Sequence, residues 1–261
     1  MSSNPPLPAA TLLLLRDGEA GLEVFMVARH HQIDFASGAL VFPGGKVDPH
    51  DRHEDVPILS EGLHGHAPLE QSVRIAAIRE AFEESGVLLA RDAATGGLVS
   101  AARLETLGHY REPLNRSEIG IAAFLRQERL RLAADLLAPF AHWITPDVGV
   151  KRFDTYFYLA EAPADHLAVH DGYESVDSVW ISPSAALREQ QEGKRLIIFP
   201  TRMILAKLAR SNSVADAMLR ARREKIVTVL PLIVTREDGE KILILPEEAG
   251  FGRIEAPLST L

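Results

Sequence analysis

Three glutamates lie close together in the chain, Glu80, Glu83 and Glu84. In a helix, about 100° of rotation per residue places all three carboxylates within roughly a 100° arc of one face. Ionised carboxylates at such short distances repel one another, and a hard divalent cation removes the repulsion while leaving positions open for phosphate oxygens. The spacing therefore favours a site for Mg²⁺ or Mn²⁺.

The alternative explanation of this pattern is a solvated acidic helix face, which is the usual meaning of an isolated Glu-x-x-Glu-Glu sequence. The surrounding sequence favours a site instead. A short apolar run ends at Pro43-Gly44-Gly45, and glycine allows a backbone to approach a ligand closely. Gly44 and Gly45 are therefore candidate substrate-binding residues.

The helix that carries the glutamates is predicted over residues 72–86. Ile75, Ile78 and Phe82 follow the spacing of a buried stripe nearly opposite the glutamates, and Gly86 is well placed to end the helix. Arg79 precedes Glu83 by four residues, so we expect it to orient Glu83 or hold the glycine loop rather than contact substrate.

Strands and helices are predicted on both sides of this helix. The patterns indicate an opening hairpin at residues 11–16 and 22–29, a short third strand at 39–42 and a polar surface insertion at 50–68. Two helices are predicted at 100–107 and 117–140, followed by three strands at 143–145, 152–160 and 176–181. Two more helices are predicted at 200–210 and 214–225, and a final hairpin at 226–235 and 241–245.

Composition limits the class of protein. The chain has 261 residues, of which 46% are hydrophobic and 25% charged, which is typical of a folded globular protein. The absence of cysteine excludes disulfides, thiolate metal sites and cysteine nucleophiles, and is compatible with a cytoplasmic location. The net charge of −8 argues against nucleic acid as a partner, and we expect no membrane segment.

The motif as a whole resembles the signature of the Nudix hydrolase family, G-x5-E-x7-R-E-U-x-E-E-x-G-U, where U is apolar. The second half matches closely, whereas in the first half Asp51 occupies the position of the early glutamate and residues 52–78 replace the usual seven. The residues that align with the signature are Gly45, Arg79-Glu80, Glu83-Glu84 and Gly86-Val87.

Further segments resemble the peroxisomal coenzyme A diphosphatase branch of that family and its bacterial relatives. They are residues 41–45, 79–89, 142–146 and 152–155. The resemblance implies an α/β fold, the Nudix α/β/α sandwich with a mixed central sheet. We expect one domain over residues 1–261, with a box at 45–87 containing an insertion at 52–71, a helical insertion at about 98–140 and a C-terminal extension at about 200–261.

The resemblance also implies roles for individual residues. Glu83 and Glu84 would be the principal ligands of Mg²⁺ or Mn²⁺, Glu80 a ligand or general base, and Gly45 a ligand through its carbonyl. The implied reaction is hydrolysis of coenzyme A or an acyl derivative to a phosphopantetheine product and adenosine 3′,5′-bisphosphate. Hydrolysis of ADP-ribose or NADH, and a non-catalytic module that senses nucleotides, are the alternatives. The partner is a small nucleotide diphosphate, and a homodimer is left open.

Other candidates have weaker support. Glu174 lies where Nudix proteins often place a loop carboxylate that serves as base or ligand, and Asp171 and Asp177 compete for that role. Arg152, with Lys151, is a candidate for binding substrate phosphate, against the alternative of a solvated strand edge.

The histidines of residues 50–66 are expected to be exposed rather than to bind metal. Four aromatic residues are expected to be core residues rather than to stack on adenine. They are Trp143, Phe153, Tyr156 and Trp180.

Overall fold

In the computed structural model, residues 4–29, 38–147, 151–171, 175–252 and 254–258 are described. The strands are β1 (Leu7–Gly18), β2 (Gly21–Arg29), β3 (Leu40–Val41), β4 (Gly44–Lys46), β5 (Ser60–Glu61), β6 (Ala90–Asp92), β7 (Leu130–Ala133), β8 (Ala138–Ile144), β9 (Phe153–Glu161), β10 (Ser175–Ile181), β11 (Thr228–Val229), β12 (Leu232–Thr235), β13 (Lys241–Ile244) and β14 (Glu255–Pro257). The α-helices are α1 (Pro68–Ser85), α2 (Ala101–Leu107), α3 (Arg111–Asn115), α4 (Ile121–Glu128), α5 (Pro183–Gln191), α6 (Phe199–Leu208) and α7 (Val214–Arg223).

The central sheet has the strand order β10-β2-β1-β9-β8-β11, with β3 added to β2 and β4 added to β1. Strand β1 is parallel to β9, β8 is parallel to β11, and the remaining pairs are antiparallel. The predicted mixed sheet is therefore confirmed. Two small sheets, β12-β13-β14 and β5-β7-β6, accompany it, and the first contains the predicted final hairpin.

The central sheet separates two hydrophobic clusters. Leu12 and Leu14 of β1 belong to the cluster that includes α1, whereas Leu13 and Leu15 belong to the cluster that includes α6 and α7. Because successive strand residues point to opposite faces, burial on both sides explains the unbroken apolar run. The predicted α/β class is confirmed, with helices on both faces of the sheet.

The helix predicted at residues 117–140 is wrong beyond Glu128. Helix α4 ends where Arg129 adopts a left-handed conformation, φ 54°, and the chain then forms β7 and enters β8. Leu132 pairs with Ser60 on one side and Ala90 on the other. Long-range strand pairing thus overrides the local helical pattern.

The interpretation of residues 50–68 as a surface insertion is also wrong in part. Val56 is fully buried and Leu63 nearly so, and both belong to the cluster around α1. Strand β5 in this segment pairs with β7. The segment therefore contributes to the core, which its polar composition conceals.

Helix α1 is longer and more buried than predicted. It begins at Pro68, a favourable residue for a first helical turn, and ends as predicted at Gly86, whose φ is 74°. Ile75, Ile78 and Phe82 are fully buried, as predicted. The opposite side is not solvated either, which excludes the alternative of an ordinary acidic surface.

A buried ion pair joins α1 to the 3₁₀ turn Pro49–Arg52. Nε and Nη2 of Arg79 donate to the two oxygens of Asp51 at 2.8 and 2.9 Å, and Nη2 also donates to the Lys46 carbonyl at 3.0 Å. Asp51 Oδ2 accepts a further hydrogen bond from the Asp48 amide. The glycine-containing strand β4 and the turn after it are thereby held to the middle of α1.

No helix among the described residues is both long enough and apolar enough to cross a bilayer.

We predict that Asp51→Asn lowers the free energy of unfolding by about 2 kcal/mol or more, since it removes the buried charged acceptor that receives two hydrogen bonds from Arg79 and one from the Asp48 amide. Asp135→Asn is the matched control, because Asp135 makes a similar bidentate pair with Arg91, at 2.7 and 2.8 Å, on the surface. Its cost should stay below about 1 kcal/mol. Urea denaturation measures both values, and equal losses would contradict the structural role assigned to Asp51.

Candidate active site

The glycine turn and the acidic helix are in direct contact. Strand β4 pairs with β1 through Gly45 opposite Ala10 and Gly44 opposite Thr11. A Cβ atom added to Gly45 would lie 2.5 Å from Oε1 of Glu80, so a larger residue at this position would displace the Glu80 carboxylate. The Gly44 amide donates to Oε2 of Glu84 at 3.0 Å. The residues that the motif predicted to converge do so.

Arg79 lies at the centre of the carboxylate group. Its Nη1 donates to Glu83 at 2.9 and 3.1 Å and is 3.0 Å from Oε1 of Glu80. The predicted contact with Glu83 is confirmed. The contact with Asp51 was not predicted, although Asp51 stands at the early acidic position of the motif, because 28 residues separate it from Arg79.

Negative charge exceeds positive charge in this group. The pKa of Glu83 is raised to about 8, mainly by burial; the neighbouring carboxylates Glu80 and Asp51 add to the rise, whereas Arg79 opposes it. Burial would lower the pKa of Arg79, but these three carboxylates raise it above its ordinary value. One guanidinium thus serves Asp51, Glu80 and Glu83, and an added cation would relieve the remaining repulsion.

The donor set suits a hard divalent cation, because it consists of carboxylate oxygens and a nearby backbone carbonyl. Among the described residues, however, no three acidic or histidine side chains are arranged so that they could hold an ion. In this arrangement Glu83 is hydrogen-bonded to Arg79 and Glu84 to the Gly44 amide. Metal binding by these two residues would use carboxylate lone pairs other than those that accept these hydrogen bonds.

The remaining predicted site residues lie outside this group. Arg152 precedes β9, and its Nε and Nη1 donate to the carbonyls of Thr145 and Asn4 at 3.0 and 3.1 Å. Glu174 lies outside the described residues. Asp177 is exposed and accepts a hydrogen bond from the amide of Ser178.

A cavity of about 260 Å³ opens beside the C-terminal end of α1, between Glu83, Gly108, Arg111 and Asp171. Arg111 Nε donates to the Glu83 carbonyl at 3.0 Å and Nη2 to the Val169 carbonyl at 3.2 Å. Burial lowers the pKa of this guanidinium. No motif marks Arg111, and no local pattern predicts that it joins α3 to the acidic helix.

Of the histidines predicted to be exposed, His50, His53 and His64 are exposed and His66 is partly exposed. Of the aromatic residues predicted to be core, Trp143 is buried, whereas Phe153, Tyr156 and Trp180 are partly exposed. Tyr156 stacks on His142 at 4.1 Å between ring centroids.

Comparison with known proteins agrees with this geometry. The family model described as the NUDT19 Nudix domain matches residues 56–208. The chain is 27% identical over 259 residues to the acyl-coenzyme A diphosphatase NUDT19 of Xenopus laevis, covering 83% of this chain and 68% of that protein. It is 31% identical over 174 residues to a putative nudix hydrolase 7 of Caenorhabditis elegans, covering 66% of this chain and 50% of that protein.

A solved structure shares the fold. The NUDIX hydrolase from Alicyclobacillus acidocaldarius aligns with a TM-score of 0.72 at 25% identity, covering 84% of this chain and 97% of that one. The family model covers well over half of the chain, including α1 and its three glutamates. The chain therefore belongs to the NUDT19-type family of Nudix hydrolases.

Proposed function

We propose that this hydrolase uses Mg²⁺ or Mn²⁺ to cleave the diphosphate linkage of coenzyme A or an acyl-coenzyme A. The products would be a phosphopantetheine derivative and adenosine 3′,5′-bisphosphate. The observation that carries the proposal is the burial of Glu83 and Glu84 beside a glycine turn that Glu80 touches. Relatives from Xenopus laevis, Gallus gallus and Homo sapiens that are named acyl-coenzyme A diphosphatases support the substrate class.

The carboxylates of Glu83 and Glu84, with the Gly45 carbonyl, are the proposed metal ligands. A bound divalent cation lowers the pKa of a water molecule and offsets charge that develops on phosphate oxygens. Arg79 is a positioning residue in this scheme, because it contacts Glu83, Glu80 and Asp51. Its charge also keeps the carboxylates close together before substrate binds.

Glu80 is the proposed ligand or general base. Its side chain is 12% exposed, compared with 1% for Glu83, so it is the more accessible of the two to water or substrate. Glu174 remains the other candidate for the base. Gly44 and Gly45 are proposed to let the substrate approach the backbone of β4. For Arg152, Nη2 would be the atom that contacts phosphate, since Nε and Nη1 bind carbonyls.

A substrate panel tests the proposed reaction. With Mg²⁺ or Mn²⁺, we expect hydrolysis of coenzyme A or an acyl-coenzyme A, and adenosine 3′,5′-bisphosphate among the products identified by mass spectrometry. Turnover of ADP-ribose or NADH with coenzyme A untouched would replace the substrate assignment. Binding without turnover of any compound in the panel would favour a nucleotide-sensing module and contradict the catalytic proposal.

Removing single carboxylates tests the metal ligands. Glu83→Gln and Glu84→Gln should each lower kcat/KM by about 100-fold or more, since loss of metal-based charge stabilisation is worth several kcal/mol. Glu189→Gln is the control, because Glu189 lies on α5 and pairs with Arg195 rather than with a residue of the carboxylate group. Circular dichroism checks the fold. Near-normal kcat/KM in both active-site variants, with the fold retained, would exclude these residues as ligands.

Substitution of Gly45 tests the close approach of β4 to Glu80. Gly45→Ala should lower kcat/KM by about 100-fold, because a displacement of roughly 1 Å at a catalytic group has effects of this size. Gly97→Ala is the control, since the nearest atom to an added Cβ there lies at an ordinary contact distance, 3.6 Å. Steady-state kinetics compares the two variants, and equal activity would show that the contact with Glu80 is unimportant.

A further inference from the structure

One row of paired residues crosses five strands of the central sheet. Gly45 pairs with Ala10, Ala10 with Tyr156, Tyr156 with His142, and His142 with Thr228. Neighbouring strands are about 4.8 Å apart, which places Tyr156 roughly 10 Å and His142 roughly 14 Å from Gly45 along the row. The glycine turn and this aromatic pair are therefore separated by a distance that a nucleotide can span.

The aromatic pair is on the same side of the sheet as the carboxylates. Residues paired across strands point to the same face, and Ala10 lies in the hydrophobic cluster that includes α1. Tyr156 packs against that same cluster. Glu80, from α1, reaches the position of a Gly45 Cβ. This row of paired residues, here called the floor, therefore lies on the α1 side of the sheet, and Ala10 within it is fully buried in the cluster that includes α1.

The ring of His142 is held firmly within this floor. Its Nε2 is hydrogen-bonded to Asp154 and its Nδ1 to Oγ1 of Thr228, the latter at 2.8 Å. The planes of His142 and Tyr156 are inclined by only 23°. The side chains of His142 and Asp154 retain 14 and 18% exposure. His142 and Tyr156 are both partly exposed, so two stacked rings with a fixed orientation are partly accessible at this end of the floor.

Charge selects which part of a substrate this end can accept. Asp154 faces a histidine, and its Oδ2 has no hydrogen-bond partner among the described residues. Glu70 also acts on Tyr156, whose pKa is raised by burial and by the nearby charges of Asp154 and Glu70. Glu70 is paired with Arg74 at 3.1 Å. An anionic phosphate is disfavoured here, whereas a flat neutral ring with N–H donors is favoured.

From this arrangement we propose that His142, Tyr156 and Asp154 form a nucleobase subsite. The adenine ring of the substrate packs against the exposed side of the two rings, and its exocyclic amino group donates to Asp154. Thr228 is a positioning residue, since it contacts His142 rather than the base. The inference rests on the proposed function for its substrate, and it identifies the specificity-determining part of the same site.

Two measurements test the subsite. Isothermal titration with adenosine 3′,5′-bisphosphate in the presence of Mg²⁺ should give a Kd raised about tenfold or more in His142→Leu and Tyr156→Leu, because stacking on an aromatic side chain contributes an effect of that size. Phe157→Leu is the control, since Phe157 lies in β9 on the opposite face of the sheet. It should lower the thermal midpoint without changing the Kd.

Asp154→Asn provides a nearly isosteric test that does not depend on the ring variants folding. In the wild type, kcat/KM for coenzyme A should exceed that for its hypoxanthine analogue, which lacks the amino group. In Asp154→Asn this ratio should fall about tenfold, as expected for loss of one hydrogen bond that discriminates between ligands. A purely structural role of Asp154 would lower both values and leave the ratio unchanged.

The outcomes separate this inference from the proposed function. If the wild type hydrolyses no compound in the panel but binds adenosine 3′,5′-bisphosphate, with weaker binding in the variants, the proposed reaction fails and the subsite stands. If the wild type hydrolyses coenzyme A and the folded variants keep both the wild-type Kd and the wild-type ratio, the subsite is wrong.

Discussion

Three carboxylates share one buried guanidinium, and the arrangement of the active site depends on this interaction. A carboxylate removed from water without a partner is costly, so Asp51, Glu80 and Glu83 are held where Arg79 can reach them. Because Asp51 belongs to the turn that follows β4, the same guanidinium fixes the glycine turn. The glycine turn is therefore positioned by a direct contact with α1, although a long segment of the chain separates Asp51 from that helix.

The parts of the site that could be predicted are those encoded by short-range patterns. The helix, its termination at Gly86 and the Arg79–Glu83 contact follow from spacings of a few residues. The contact between Arg79 and Asp51 spans 28 positions, and no local pattern reports it. The sequence does supply the acid at the expected position, but a partner can be assigned only when the fold brings the two together.

Long-range pairing also explains the errors. Residues 130–133 have apolar positions that suit a helix, yet β5 and β6 supply strand partners on both sides of β7, and these contacts determine the outcome. Tyr156 was expected in the core because aromatic residues usually are. Tyr156 instead pairs with His142 of β8 and is partly exposed. His142 and Asp154 lie in two separate segments, residues 142–146 and 152–155. The hydrogen bond between them could not be predicted from either segment alone.

Strand β1 has its parallel partner far along the chain, since Leu7 pairs with Phe153 and Leu15 with Glu161. During synthesis the first strand must remain without this neighbour until β9 has left the ribosome. Contacts between such distant residues slow folding and leave a strand edge open to association with other chains. The central sheet, and the active-site strand β4 that is added to it, therefore cannot be completed until more than half of the polypeptide has emerged.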